Sequence, residues 1–137
     1  MRMMAFYFKL YFTTLGAFFA IDMVWLGLVA RTLYREQLGF LLSPDTNWVA
    51  AIIFYLLFIA GILVFVVLPG LEHRSLKTTI LRAALFGLVT YATYDLTNLA
   101  TVKDWPLLIT IVDMAWGTVL SIAVSCVGFL ASGWARK

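Results

Sequence analysis

The sequence is short of charge. Only 12% of its 137 residues are Asp, Glu, Lys or Arg, against 64% hydrophobic, whereas an ordinary soluble domain carries about a quarter charged residues. With a mean hydropathy of +0.98, this composition excludes a soluble globular domain and points to a membrane protein. Cysteine is nearly absent. Cys126 stands alone, so an intrachain disulfide is excluded and a cysteine-based metal cluster is not expected; within its apolar run it reads as a small packed hydrophobe. Histidine is equally scarce: His73 lies in an EHR turn and reads as a solvated loop residue. Nucleophilic-serine, HExxH, glycine-rich phosphate-loop and haem-attachment motifs are all missing, so no cofactor is predicted. The net charge of +3 comes from basic residues scattered at segment ends. They form no stripe along a polar face, which argues against a nucleic-acid partner and for topology signals.

What is present in abundance is apolar run. Four segments, at about residues 10–30, 48–68, 80–102 and 107–131, reach the roughly 20 residues needed to cross about 30 Å of hydrocarbon. Only helices satisfy their own backbone at that span length. The pattern therefore predicts an all-α membrane protein, one domain over residues 1–137 built as a four-helix transmembrane bundle. The basic, apolar N-terminus resembles a signal peptide, but its run continues through Asp22 to Ala30 without a small-x-small site, so it reads as an uncleaved first span. Connections are expected over residues 31–47, through Pro69, Gly70 and Leu71 into EHRSLK, and around Lys103, Asp104 and Pro106. In the first of these, RTLYREQLGFLL reads as an interfacial helix with Leu and Phe toward lipid.

Basic residues set the orientation. Arg2, Lys9, Arg74, Lys77, Arg82, Arg136 and Lys137 fall on one side, and Arg31, Arg35 and Lys103 on the other. Seven against three predicts that both termini are cytoplasmic. Arg82 is expected to snorkel to that interface, and Trp48, Trp105 and Trp134 mark segment ends.

Three aspartates interrupt the spans: Asp22, Asp95 and Asp113. A central Asp costs about 2.5 to 3.5 kcal/mol to insert, so the three need compensation or a purpose. Asp22 lies nine residues before Arg31, Asp95 eight before Lys103 and Asp113 nine after Asp104. At 1.5 Å per residue each sits roughly 12 to 14 Å below the same membrane boundary. Helical spacing adds neighbours. Tyr91, Tyr94, Asp95 and Asn98 follow i, i+3, i+4, i+7, a single face on which Tyr and Asn can hydrogen-bond a carboxyl group. Asp113, Gly117, Ser121 and Ser125 form an i+4 ladder of small and polar residues that invites close helix packing. DMVW at 22–25 and DMAW at 113–116 place Trp25 and Trp116 one turn after an aspartate, where each indole could donate to its own Asp.

The stretch YATYDLTNLATVKDWPLLITIVDMAWGTVL, with Asp22 and Trp25 earlier in the chain, resembles the bacterial family of predicted membrane proteins catalogued as domain of unknown function 2177. The resemblance implies a compact four-helix integral membrane protein of the bacterial cytoplasmic membrane. It carries no established activity, and the encoding of such proteins near fatty-acid-modifying enzymes is an associational hint toward lipid metabolism.

Three functional readings follow. The first is a pocket in the periplasmic half that binds or modifies a lipid or other amphiphile, with Asp95 and Asp113 as acid–base residues and Asp22, Trp25, Tyr91, Tyr94, Asn98 and Trp116 as ligand contacts. Burial and mutual repulsion favour the neutral form of at least one acid, as a general acid requires. The second is a proton or cation transport subunit, for which three carboxylates with Asn98 could hold a hard divalent cation; four helices would then need an oligomer. The third is a structural partner of a membrane enzyme, with the aspartates as interhelical glue.

Overall fold

A computed structural model describes residues 1–137. The chain is all helix, without a strand. Helix α1 (Arg2–Val29) closes in a π turn over Trp25–Val29 and is followed by the short α2 (Arg31–Leu38). Helix α3 (Trp48–Glu72) contains a second π turn at Leu63–Val67. Then come α4 (Leu76–Thr101) and α5 (Leu107–Ala135). Asn47 caps α3 by accepting from the Ala50 amide, and Ser75 caps α4 by accepting from that of Thr78.

Helices α1, α3 and α5 are long and apolar enough to cross a membrane, with mean hydropathies of 1.8, 3.1 and 2.0. Their apolar stretches are at most 33% buried within the protein, so most of their hydrophobic surface faces outward, as lipid contact requires. Helix α4 is as long, at 26 residues, but carries Lys77, Arg82 and Asp95. All four run past the apolar segments, α1 starting at Arg2 and α5 ending at Ala135. Apolar residues mark the thickness of hydrocarbon, whereas backbone hydrogen bonding continues the helix beyond it.

Three helices bury i+4 ladders. On α1 the ladder is Leu10, Thr14, Phe18 and Asp22; on α4 it is Thr79, Ala83, Gly87 and, two turns on, Asp95; on α5 it includes Gly117, Ser121 and Ser125. Helix α5 lies between the other two. A Cβ added to Gly87 would meet Gly117 O at 2.6 Å and Ser121 Oγ at 2.7 Å, so the α4 and α5 backbones touch there. Phe18, Phe58, Ile59, Ile62, Leu120 and Val124 fill the core between α1, α3 and α5.

The turn expected at Pro69, Gly70 and Leu71 is instead helical, and α3 continues through it to Glu72. Proline is tolerated because the π turn just before it has already shifted the hydrogen-bond ladder. Beside this turn, Arg82 Nη1 donates to the Phe65 carbonyl at 3.3 Å. Thus the guanidinium expected to snorkel reaches the backbone of a neighbouring helix. The chain reverses only at His73, Arg74 and Ser75, with Arg74 at φ 49°.

Candidate functional site

The three ladders end in aspartates at the same end of the bundle, the end that carries α2. Because α1 and α4 run toward this end and α5 away from it, Asp22 and Asp95 come late in their helices and Asp113 early. Asp113 lies within electrostatic reach of both Asp22 and Asp95.

Their surroundings differ. Asp22 is buried and its Oδ1 accepts from Trp116 Nε1 at 3.2 Å. Asp113 is half-buried and its Oδ1 accepts from the Tyr34 hydroxyl at 2.5 Å. Trp25 Nε1 in turn donates to the Tyr34 oxygen at 3.4 Å. The rings of Trp25 and Trp116 stack at 4.3 Å with 6° between their planes. Each indole therefore serves the opposite side of the pair, not the aspartate on its own helix as the DMVW and DMAW spacing suggests. Antiparallel α1 and α5 meet through the stacked rings.

Asp95 is different again. It is fully buried, lies against Asp113, and neither of its oxygens accepts a hydrogen bond. Tyr91, Tyr94 and Asn98 do not supply the donors that their spacing promised. The Tyr91 ring lies flat on the α5 backbone, where a Cβ on Gly117 would fall 2.1 Å from Tyr91 Cγ. Tyr94 is exposed and packs edge-on against Trp105. Asn98 makes only its backbone contact, accepting from the Val102 amide. In a helix, side chains lean toward the N-terminus, so Tyr91 points a turn away from Asp95.

Tyr34 is the participant that sequence reasoning missed. On α2, Leu33, Tyr34, Gln37 and Leu38 are the residues withdrawn from solvent, so Leu38 faces the bundle and not lipid. That spacing, i, i+1, i+4 and i+5, is the signal that RTLYREQL carried. Burial and the hydrogen bond to Asp113 hold the Tyr34 phenol above the usual tyrosine range, so it remains a donor. Just beside it, a cavity of about 300 Å³ is lined by Phe54, Phe58, Thr90, Tyr91, Tyr94 and Asp113. No group of three or more carboxylate, histidine or cysteine side chains converges at the cluster.

The family of predicted membrane proteins designated DUF2177 matches residues 7–130. The chain belongs to that family. Among curated proteins and solved structures nothing matches. The match covers the DUF2177 chain from α1 to the last turns of α5, and so includes every residue of the aspartate cluster.

Proposed function

We propose that this DUF2177 protein binds an amphiphile at the Asp95–Asp113 pair, in a four-span protein of the bacterial cytoplasmic membrane with both termini inside. One observation carries the reading: Asp95 is wholly buried beside a second acid and has no hydrogen-bond donor. Acids kept only as glue are paired, as Asp22 is with Trp116. A buried carboxyl group whose one polar neighbour is a second acid is poor interhelical glue, and such groups concentrate at functional sites. Tyr34 on Asp113 covers the pair from the α2 side, and the cavity at Asp113 is otherwise mainly aromatic.

Two features support α4 as the fourth span. Thr93, Thr97 and Thr101, all exposed, each donate to a carbonyl four residues back, so their hydroxyls reach lipid already satisfied. The seven-to-three division of basic residues falls on opposite ends of the four long helices, which supports inward termini and a cluster in the periplasmic half.

The test compares the lipidome of cells lacking the protein with cells complemented by the wild type, Asp95→Asn or Asp22→Asn. A lipid species restored by the wild type and by Asp22→Asn, but not by a stably inserted Asp95→Asn, is the expected result; full restoration by Asp95→Asn refutes the reading. Proton transport has one observation in its favour, the buried and unpartnered hydroxyls of Ser121 and Ser125 below Asp113. Four-residue steps separate them by about 6 Å, too far for direct transfer, so this reading requires intervening water. Proton flux in reconstituted vesicles, abolished by Ser121→Ala, would favour it over amphiphile binding.

A further inference from the structure

The cavity at Asp113 does not end there. Phe54, Phe58 and Thr90 also line a second depression of about 540 Å³, which continues between α3 and α4 past Gly61 to Phe65 and Phe86. The two share a wall and make one furrow, open sideways along the flank where Leu57 is 70% and Phe65 is 61% exposed. Gly61 keeps it passable, since a Cβ there would meet the Phe86 ring at 2.9 Å.

Length and charge say what fits. From Phe54 to Phe65 is eleven residues of α3, about 16 Å of furrow, close to half of the roughly 30 Å hydrocarbon core and hence to the reach of one lipid chain in one leaflet. The walls are apolar: the Thr90 hydroxyl is spent on Phe86 O and Gly87 O. At the closed end stand Asp113, with Asp95 behind it, and the hydroxyls of Tyr91 and Tyr94, which hydrogen-bond to no protein group. No lysine or arginine lines either part of the furrow. An anionic head group would meet like charge there; a donor would meet free acceptors.

Resting on the amphiphile reading above, we propose that the furrow seats one aliphatic chain of about a leaflet's length, and that its head group is a hydrogen-bond donor without negative charge, an amine or a hydroxyl, held by Asp113.

The experiment uses the purified full chain in detergent and follows thermal unfolding and tryptophan fluorescence with hexadecylamine, hexadecanol, palmitic acid and butylamine as probes. Hexadecylamine and hexadecanol should raise the unfolding temperature saturably, and palmitic acid and butylamine should not. Asp113→Asn should weaken hexadecylamine at least tenfold. Leu57→Trp, at the exposed lip, should block both long-chain probes without disturbing the core. Palmitic acid binding as tightly as the amine would overturn the head-group assignment, and dependence of that binding on Arg82 would place the head at the opposite end. Butylamine binding as well as hexadecylamine would overturn the chain-length inference while leaving the polar site standing. If no probe binds although Asp95→Asn still fails to restore the lipidome, the furrow proposal falls and the amphiphile reading survives; if Asp113→Asn binds hexadecylamine unchanged, both fall.

Discussion

Replacing Asp95 and Asp22 by asparagine should change stability in opposite directions. Both side chains are buried in the i+4 ladders of their helices, at 0% and 6% exposure, so a simple burial argument treats them alike. Their partners do not. Asp22 accepts from Trp116 Nε1 at 3.2 Å, and asparagine would keep an acceptor but lose the charge-assisted character of the bond and add an unpartnered amide. Hydrogen bonds measured inside membrane proteins average about 0.6 kcal/mol and reach about 1.7, while an unsatisfied buried group costs about 1 to 3 kcal/mol. Asp22→Asn should therefore destabilise by about 1 kcal/mol. At Asp95 both oxygens already lack donors and face a second acid. An acid-to-acid contact holds only when one member carries a proton, whereas an amide donates to Asp113 without one. Asp95→Asn should stabilise by about 1 kcal/mol, on the same scale of intramembrane hydrogen bonds. Unfolding by SDS in mixed micelles, followed by tryptophan fluorescence, reads both variants against the wild type. If Asp95→Asn destabilises by 1 kcal/mol or more, Asp95 is glue and its unpartnered state is not the mark of a site.

Three further outcomes follow from the same geometry. Gly87→Ala should destabilise by about 1 to 3 kcal/mol through overpacking, because its Cβ would strike Gly117 O at 2.6 Å, whereas Gly16→Ala, with nothing within 4 Å, should be neutral or slightly stabilising; equal effects in the unfolding titration would contradict the close α4–α5 contact. Trp116→Phe should cost about 1 to 2 kcal/mol, from the lost donor to Asp22 and a weaker stack on Trp25, and the cost should shrink in an Asp22→Leu background in a double-mutant cycle. Since Tyr34 is held above the ordinary tyrosine value near 10, the unfolded chain loses this proton first and the folded state loses stability as pH rises above about 10; Tyr34→Phe should flatten that decline in unfolding curves taken from pH 8 to 11.

The parts of the fold that repeat were legible in the sequence. Gly117, Ser121 and Ser125 on α5 declare a buried face because a helix keeps residues four apart aligned; the matching ladder on α1 emerged only with the structure. The common level of the three aspartates was legible for the same reason, since rise per residue converts position into depth. What could not be read were contacts set by the pairing of helices. Nothing in DMVW or DMAW reveals that the two indoles stack, or that Trp116 donates to Asp22 and Trp25 to Tyr34. Tyr34 reaches Asp113 from 79 residues away; the spacing in RTLYREQL marks the buried face of α2 but not the helix it docks against. Pro69 misled because its effect depends on the π turn before it, which the sequence does not announce.

The contrast between Asp22 and Asp95 also bears on how the site stays assembled while unpartnered. Trp116 ties Asp22, and Tyr34 with Trp25 ties Asp113, so α1, α2 and α5 are joined by hydrogen bonds that do not involve Asp95. Helix α4 is held to α5 instead by backbone contact at Gly87 and by the Tyr91 ring on Gly117. Asp95 can thus remain free of partners without loosening the bundle, because packing below it fixes α4. A residue positioned by its neighbours, and not by its own hydrogen bonds, keeps its acceptors for something else. On that logic, adding a donor within the protein, as Asp95→Asn does beside Asp113, gains stability by consuming the same capacity that an incoming hydroxyl or amine would use.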